Sequence, residues 1–206
     1  MSGQIPASIY DARIRADVEA GDVTRAATDL LRTLGPEVFG FLRGVVSAET
    51  DADEVFAATS ERIWRSLAAF RWQCSLRTWV YVIARNEAMR FIQGARRRNA
   101  GRLLASSALD ALVAAVRTET LSALRSEKRN RLTTLRDELP VDDRTLLILR
   151  VDRDMSWEDV ARAFLADPDG GSADEIKREA ARLRKRFQLV KTRLRERARD
   201  EGLLSE

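Results

Sequence analysis

From Tyr10 onward, apolar positions recur at intervals of three and four rather than two. That spacing gathers them on one side of a 3.6-residue helix and predicts an all-α chain. Sustained alternation and paired apolar runs around a tight turn are missing, so no strand is predicted. Ala26, Leu30, Leu31 and Leu34 form one stripe, and Val38, Phe41, Leu42, Val45 and Val46 the next. Gly21-Asp22 and Gly35-Pro36 punctuate these first segments. Asp51, with Glu54 three residues on, predicts a capped helix start. Val55, Ile63, Leu67 and Phe70 then keep one stripe inward. Ser75 is the expected cap of the following helix, whose buried stripe is Leu76, Val80, Ile83 and Ala84 and which runs into Arg96-Arg97-Arg98.

The periodicity lapses between Asn99 and about Ser107, the best candidate linker. It resumes with Leu109, Leu112, Val113 and Val116, and later Leu124, Leu132 and Leu135. Pro140 suits a first helical turn. Ser156 caps another helix, with Glu158 and Asp159 placed favourably for its dipole and Val160, Ala161 and Phe164 as its apolar face. Asp167-Pro-Asp-Gly-Gly171 breaks it. Ser172 and Glu175 form a capping box that opens a helix to about Arg199. Phe187, Val190 and Leu194 are its expected seam against Val160 and Phe164.

Charge changes this picture most at the C-terminal end. The formal net charge is +4, but Lys177 to Arg199 holds eleven Lys or Arg against two Glu. So concentrated a patch suits a polyanion, nucleic acid first, although a solvated helix face would explain it too. With 45% apolar and 33% charged residues in a chain of 206, one sizeable or two small domains can form. A single cysteine, Cys74, precludes an internal disulfide. The chain has no histidine, the commonest zinc ligand, and shows no Gly-rich phosphate loop or catalytic set, so neither a metal site, a cofactor nor an enzyme is expected. No apolar run suits a bilayer span and no secretory signal is visible, so the expected location is cytoplasmic.

The chemistry concentrates in Phe70-Arg-Trp-Gln-Cys-Ser-Leu-Arg-Thr-Trp-Val-Tyr-Val-Ile-Ala-Arg-Asn86, where large aromatics interleave with arginines. Arginine pairs with phosphate and aromatic faces stack on unpaired bases, a mixture suited to a strand lifted from a duplex. The run closely resembles region 2 of the extracytoplasmic-function sigma factors of bacterial RNA polymerase, which opens and reads the promoter −10 element. Asp51-Ala-Asp-Glu-Val-Phe56 with Arg62-Ile-Trp-Arg-Ser-Leu67 is similar to that family's clamp-binding motif. Leu139-Pro-Val-Asp-Asp-Arg-Thr-Leu-Leu-Ile-Leu-Arg150 and Met155-Ser-Trp-Glu-Asp-Val-Ala161 look like its region 4, and Arg182 to Arg195 like its recognition helix.

The resemblance implies two small helical domains joined by a linker: region 2 over 10–98, a partly helical linker over 99–129, and a helix-turn-helix region 4 over 130–200. It implies core polymerase binding, to the β′ clamp helices and the β flap, with Asp51, Asp53, Glu54, Arg62, Trp64 and Arg65 at the clamp. It implies −10 contacts from Arg71, Trp72, Gln73, Arg77, Trp79, Tyr81, Arg85 and Asn86. It implies −35 contacts from Lys177, Arg178, Arg182, Arg184, Lys185 and Arg186. Promoter DNA is the implied ligand and an anti-sigma factor an open further partner; no small-molecule substrate is implied. Arg77, Tyr81, Arg85 and Asn86 are expected off the buried stripe, whereas Trp64, Phe70, Trp79 and Trp157 also read as core. The chain departs from the family at Ala57-Ala58, where Gln-Glu is usual, at Trp72, where Gly is frequent, and in a longer helix-turn-helix turn. A stand-alone helix-turn-helix regulator, and a helical protein whose basic face serves an acidic partner, remain as alternatives.

Overall fold

A computed structural model describes residues 7–46, 49–102, 134–165 and 171–203. All its regular elements are helical: α1 (Ala7–Glu19), α2 (Val23–Val45), α3 (Glu49–Ser66), α4 (Leu76–Arg102), α5 (Val141–Leu147), α6 (Trp157–Leu165) and α7 (Ala173–Asp200). A 3-10 turn at Leu67–Ala69 follows α3, and a π turn at Ile148–Asp152 follows α5.

The local signals for helix starts hold at several points. Ser75 Oγ accepts the Thr78 N–H at the start of α4, and Ser156 Oγ that of Asp159 at the start of α6. Ser172 and Glu175 make the full reciprocal capping box of α7. Asp22 caps α2 by accepting the Arg25 N–H. Two expectations need correction. Asp51 does not open α3; the helix already runs at Glu49, so Asp51 lies within its first turn. Gly35-Pro36 does not divide α2, which continues through Pro36. Proline removes one backbone donor and strains the preceding turn. Here its ring faces solvent, while Leu30, Val38, Phe41, Leu42 and Val45 bury a stripe on both sides of it. Continuous packing outweighs the local penalty.

The first half is a bundle of α1 to α4. Ile14, Leu30, Phe41, Leu42, Ile63, Leu67, Leu76 and Trp79 are almost wholly excluded from solvent. The Tyr10 hydroxyl fastens α1 to α2 by donating to the Asp29 carbonyl at 3.0 Å. In the second half α6 packs on α7, with Trp157 edge-on to Phe187 at 5.5 Å between ring centroids. Trp157 therefore packs between α6 and α7, and Phe187 and Val190 are buried as the seam reading expects, with Leu194 half-buried beside the core.

The halves are not separate bodies. One hydrophobic core runs through both, from Ile14 in α1 to Val190 in α7. The α4 helix packs against α6, and α2 against α5 and the π turn. The Arg144 guanidinium reaches across to donate to the Val45 carbonyl at 2.6 Å while also holding the Asp137 carbonyl at 2.8 Å. The linker expectation for Asn99 falls partly on helix, since α4 extends to Arg102. The apolar positions from Leu109 to Leu132, and residues 167–170 of the expected helix break, lie outside the described residues.

Candidate nucleic-acid interface

The aromatic and arginine run divides into a loop, 70–75, and the first turns of α4. Arg71 and Gln73 are exposed at the loop. Trp72 is half-buried, with its ring 4.9 Å from Phe70 and the Arg15 guanidinium 5.5 Å above it. Its φ of 59° lies in the left-handed region, an uncommon conformation for a bulky side chain. Phe70 also meets Trp79, at 4.8 Å. Trp79 is thus core, resolving its double reading.

Tyr81 and Arg85 overturn the expectation that they project from the buried stripe. Tyr81 is fully buried, edge-on to Phe41 at 5.2 Å. Burial pushes its phenol up to about 12, with Glu37 adding to the rise against Arg153 and Arg77. Arg85 is 8% exposed, with its guanidinium 4.2 Å from the Phe164 ring centroid and 2.9 Å from Asp142 Oδ1. Burial lowers its pKa, opposed chiefly by Asp142. The reason lies in the surroundings of α4. Leu76 to Ala88 is enclosed by α2 and α3 on one side and by α6 on another, so it buries residues around most of its circumference. A single stripe does not describe such a helix.

Arg77 is half-buried and shares Glu37 with two nitrogens, at 2.9 and 3.3 Å. It also donates to the Arg153 carbonyl at 2.9 Å. Burial alone would lower its pKa, but Glu37 more than offsets that and the net direction is upward. Thr78 donates to Asp159 Oδ1 at 2.8 Å. Asn86 is half-buried further along α4. The structure therefore brings Arg77, Thr78 and Arg85 together on the α4 face that meets the second half. Arg71, Trp72 and Gln73 lie at the loop preceding it.

Two other clusters stay at the surface. On α3, Asp53, Glu54, Arg62, Trp64 and Arg65 are exposed and Asp51 is half-buried; Arg65 pairs with Glu61 at 2.6 Å. Trp64 is 42% exposed, against its reading as core. On α7, Lys177, Arg178, Arg182, Arg184 and Lys185 are exposed. Arg182 is held by Glu179, Arg184 stands over Trp157 at 5.7 Å, and Arg186 is drawn to Asp143 at 2.5 Å. Sequence reasoning missed Glu37, Asp142 and Asp159 as partners of these arginines and of Thr78. It also missed Gly40 and Gly44 on α2. Their four-residue spacing beside an apolar stripe is a readable sign of close approach, which the structure supplies through Arg153 and Ile148.

Among the described residues no helix is long and apolar enough to cross a membrane, and no acidic, His or Cys cluster could hold a metal ion. Residues 30–98 match the family model of sigma-70 region 2. No curated protein matches the chain. Among solved structures, the fold is similar to a chain of the co-crystal structure of the sigma factor RpoE with the anti-sigma factor NepR from Bartonella quintana. That match has a TM-score of 0.51 at 19% identity and covers 80% of this chain and 96% of the other.

Proposed function

We propose, from the match of residues 30–98 to sigma-70 region 2, that this chain is a sigma factor of the extracytoplasmic-function type. It brings core RNA polymerase to particular promoters and does no bond-making itself. The observation that carries this reading is the exposed face of α3. Asp53, Glu54, Arg62, Trp64 and Arg65 stand outward within the matched block, at the positions the clamp-binding motif assigns to polymerase. An exposed tryptophan among charges is the composition of an interface anchor.

In this reading the 70–75 loop and the start of α4 take the non-template strand of the −10 element. Capturing bases on aromatic and pocket surfaces offsets an unstacking cost of a few kcal/mol per step. The exposed lysines and arginines of α7 meet the −35 duplex, with phosphate contacts setting position and base-edge contacts setting sequence. The similar solved chain was crystallised with an anti-sigma factor, which supports such a partner for this one. The basic face of α7 also suits a stand-alone duplex-binding regulator, a reading that leaves the α3 face without a role.

Charge reversal at Asp53 and Glu54 together should weaken association with core polymerase about tenfold or more while the circular dichroism spectrum stays unchanged. The assay is titration of labelled core polymerase, followed by run-off transcription on genomic fragments. Equal affinity in wild type and variant would remove α3 as the polymerase face, and no promoter-dependent transcript would remove the sigma reading itself.

A further inference from the structure

The 70–75 loop is gripped from outside the matched block, by α1, which lies wholly before residue 30. Two α1 side chains one helical turn apart make the grip, flanking the buried Ile14. Asp11 Oδ2 accepts the Leu76 N–H at 3.2 Å, across 65 residues of chain. Leu76 is the first residue of α4, so its N–H has no acceptor within the helix. Ser75 Oγ takes the Thr78 N–H, and Asp11 supplies a second capping acceptor from another helix. Arg15 stands over the Trp72 ring at 5.5 Å, with its Nε fixed on Glu19 Oε1 at 2.8 Å.

Two observations speak for placement rather than for stability alone. Trp72 has a φ of 59°, and a bulky residue stays there only where its surroundings over-determine it. Its ring meets Phe70 within the loop and Arg15 on α1. Burial raises the Asp11 carboxyl above its ordinary value, opposed by the Leu76 N–H. An acid whose folded pKa lies above its unfolded one subtracts stability at neutral pH. The Asp11 charge therefore does not secure the fold. What it fixes is the point where the loop ends and α4 begins.

We propose that Asp11 and Arg15 are positioning residues for the captured strand, holding the loop in the shape that meets unpaired bases. Asp11 sets the exit of the loop and Arg15 sets Trp72. A loop ordered beforehand loses less conformational freedom when a strand binds. The inference rests on the reading of 70–75 as the −10 face, and it adds to that face two residues that lie before the matched block.

Cys74, the single cysteine, lies inside the loop and is half-buried, so its thiol reports loop opening. Three readouts test the proposal in the full chain. They are the rate of N-ethylmaleimide labelling, helicity by circular dichroism, and base preference on a promoter library randomised at −10, transcribed with core polymerase. Asp11→Ala should label about tenfold faster and Arg15→Ala about threefold faster, both at unchanged helicity. Both should flatten the −10 preference. Asp11→Asn should behave as wild type, because its carboxamide oxygen accepts the same N–H. Arg13→Ala gives up an α1–α2 contact at Asp29 instead, and should also leave labelling and preference in place. Wild-type labelling rates in both Asp11→Ala and Arg15→Ala would overturn the grip. Equal acceleration in Arg13→Ala would reduce it to general docking of α1 and overturn the positioning roles. Faster labelling with an unchanged −10 preference would overturn them too. If Asp11→Ala loses helicity, Arg15→Ala decides by the same outcomes. If the wild-type chain gives no promoter-dependent transcript, the sigma reading falls, while the labelling rates still decide whether α1 holds the loop.

Discussion

Trp72 sets a side chain against its backbone. A left-handed φ costs a non-glycine residue roughly 1–2 kcal/mol, and the contact of its ring with Phe70 returns about 0.5–1.5 kcal/mol. Glycine, which the family resemblance expects there, adopts that φ without strain. Trp72→Ala and Trp72→Gly both lose the ring, but only the glycine variant relieves the backbone. Trp72→Ala should therefore be the less stable of the two by about 1 kcal/mol, even after the larger unfolded-state entropy of glycine is counted. Urea unfolding at matched slopes measures the difference, and an alanine variant at least as stable as the glycine one would contradict it. The sequence made Trp72 conspicuous by its departure from the family pattern, but the φ that gives the departure meaning is tertiary. Arg85 shows the same limit. Its place in the run announced phosphate chemistry, while its burial depends on Asp142 and Phe164, which lie far along the chain.

At the scale of elements, what was legible followed from short-range chemistry. Ser75, Ser156 and Ser172 with Glu175 were readable as caps because a cap involves only neighbours within three residues. The sequence places the start of α3 two residues late because Asp51 and Glu54 match a capping pattern that also fits inside a first turn. The α2 helix ran through Pro36 because packing along both of its halves prevailed. The two glycines of α2 allow a sharper test, since alanine favours an isolated helix over glycine by about 1 kcal/mol. At Gly40 the obstacle is the tip of the Arg153 side chain, which can swing aside, so Gly40→Ala should raise stability by up to about 1 kcal/mol. At Gly44 the obstacle is Ile148, which is itself buried and has little room to retreat. Overpacking there costs roughly 1–3 kcal/mol, so Gly44→Ala should be net destabilising. Thermal unfolding of the two variants should move the midpoint in opposite directions, and a shift of the same sign in both would dismiss this account of the two contacts.

For the whole molecule, hydrophobic periodicity announced two helical halves but not that they share a core. Each stripe reports which face is buried and is silent on what covers it. This is why the sequence resemblance places Arg186 among the −35 contacts, whereas in the structure it spans α7 and α5 to reach Asp143, whose side chain is 7% exposed. Lys177, Arg178 and Lys185, by contrast, stand exposed along α7. The two sets should separate experimentally in the full chain. Alanine at Lys177, Arg178 or Lys185 should leave the unfolding midpoint in place. Where the residue meets a phosphate, it should flatten the salt dependence of duplex binding by about one unit, because one fewer counterion is released. Arg186→Ala should instead cost stability, roughly 1–3 kcal/mol, since it strands a buried carboxylate. That range sits below the figure for a fully buried pair because Arg186 itself is partly solvated. Adding Asp143→Ala should restore most of the loss, because the stranded charge then leaves with its partner. A double-mutant cycle by urea unfolding, run beside salt titrations on a promoter duplex, measures both effects. If Arg186→Ala kept full stability and lost a unit of salt slope, Arg186 would belong with the DNA contacts and its pairing with Asp143 would be incidental to the fold.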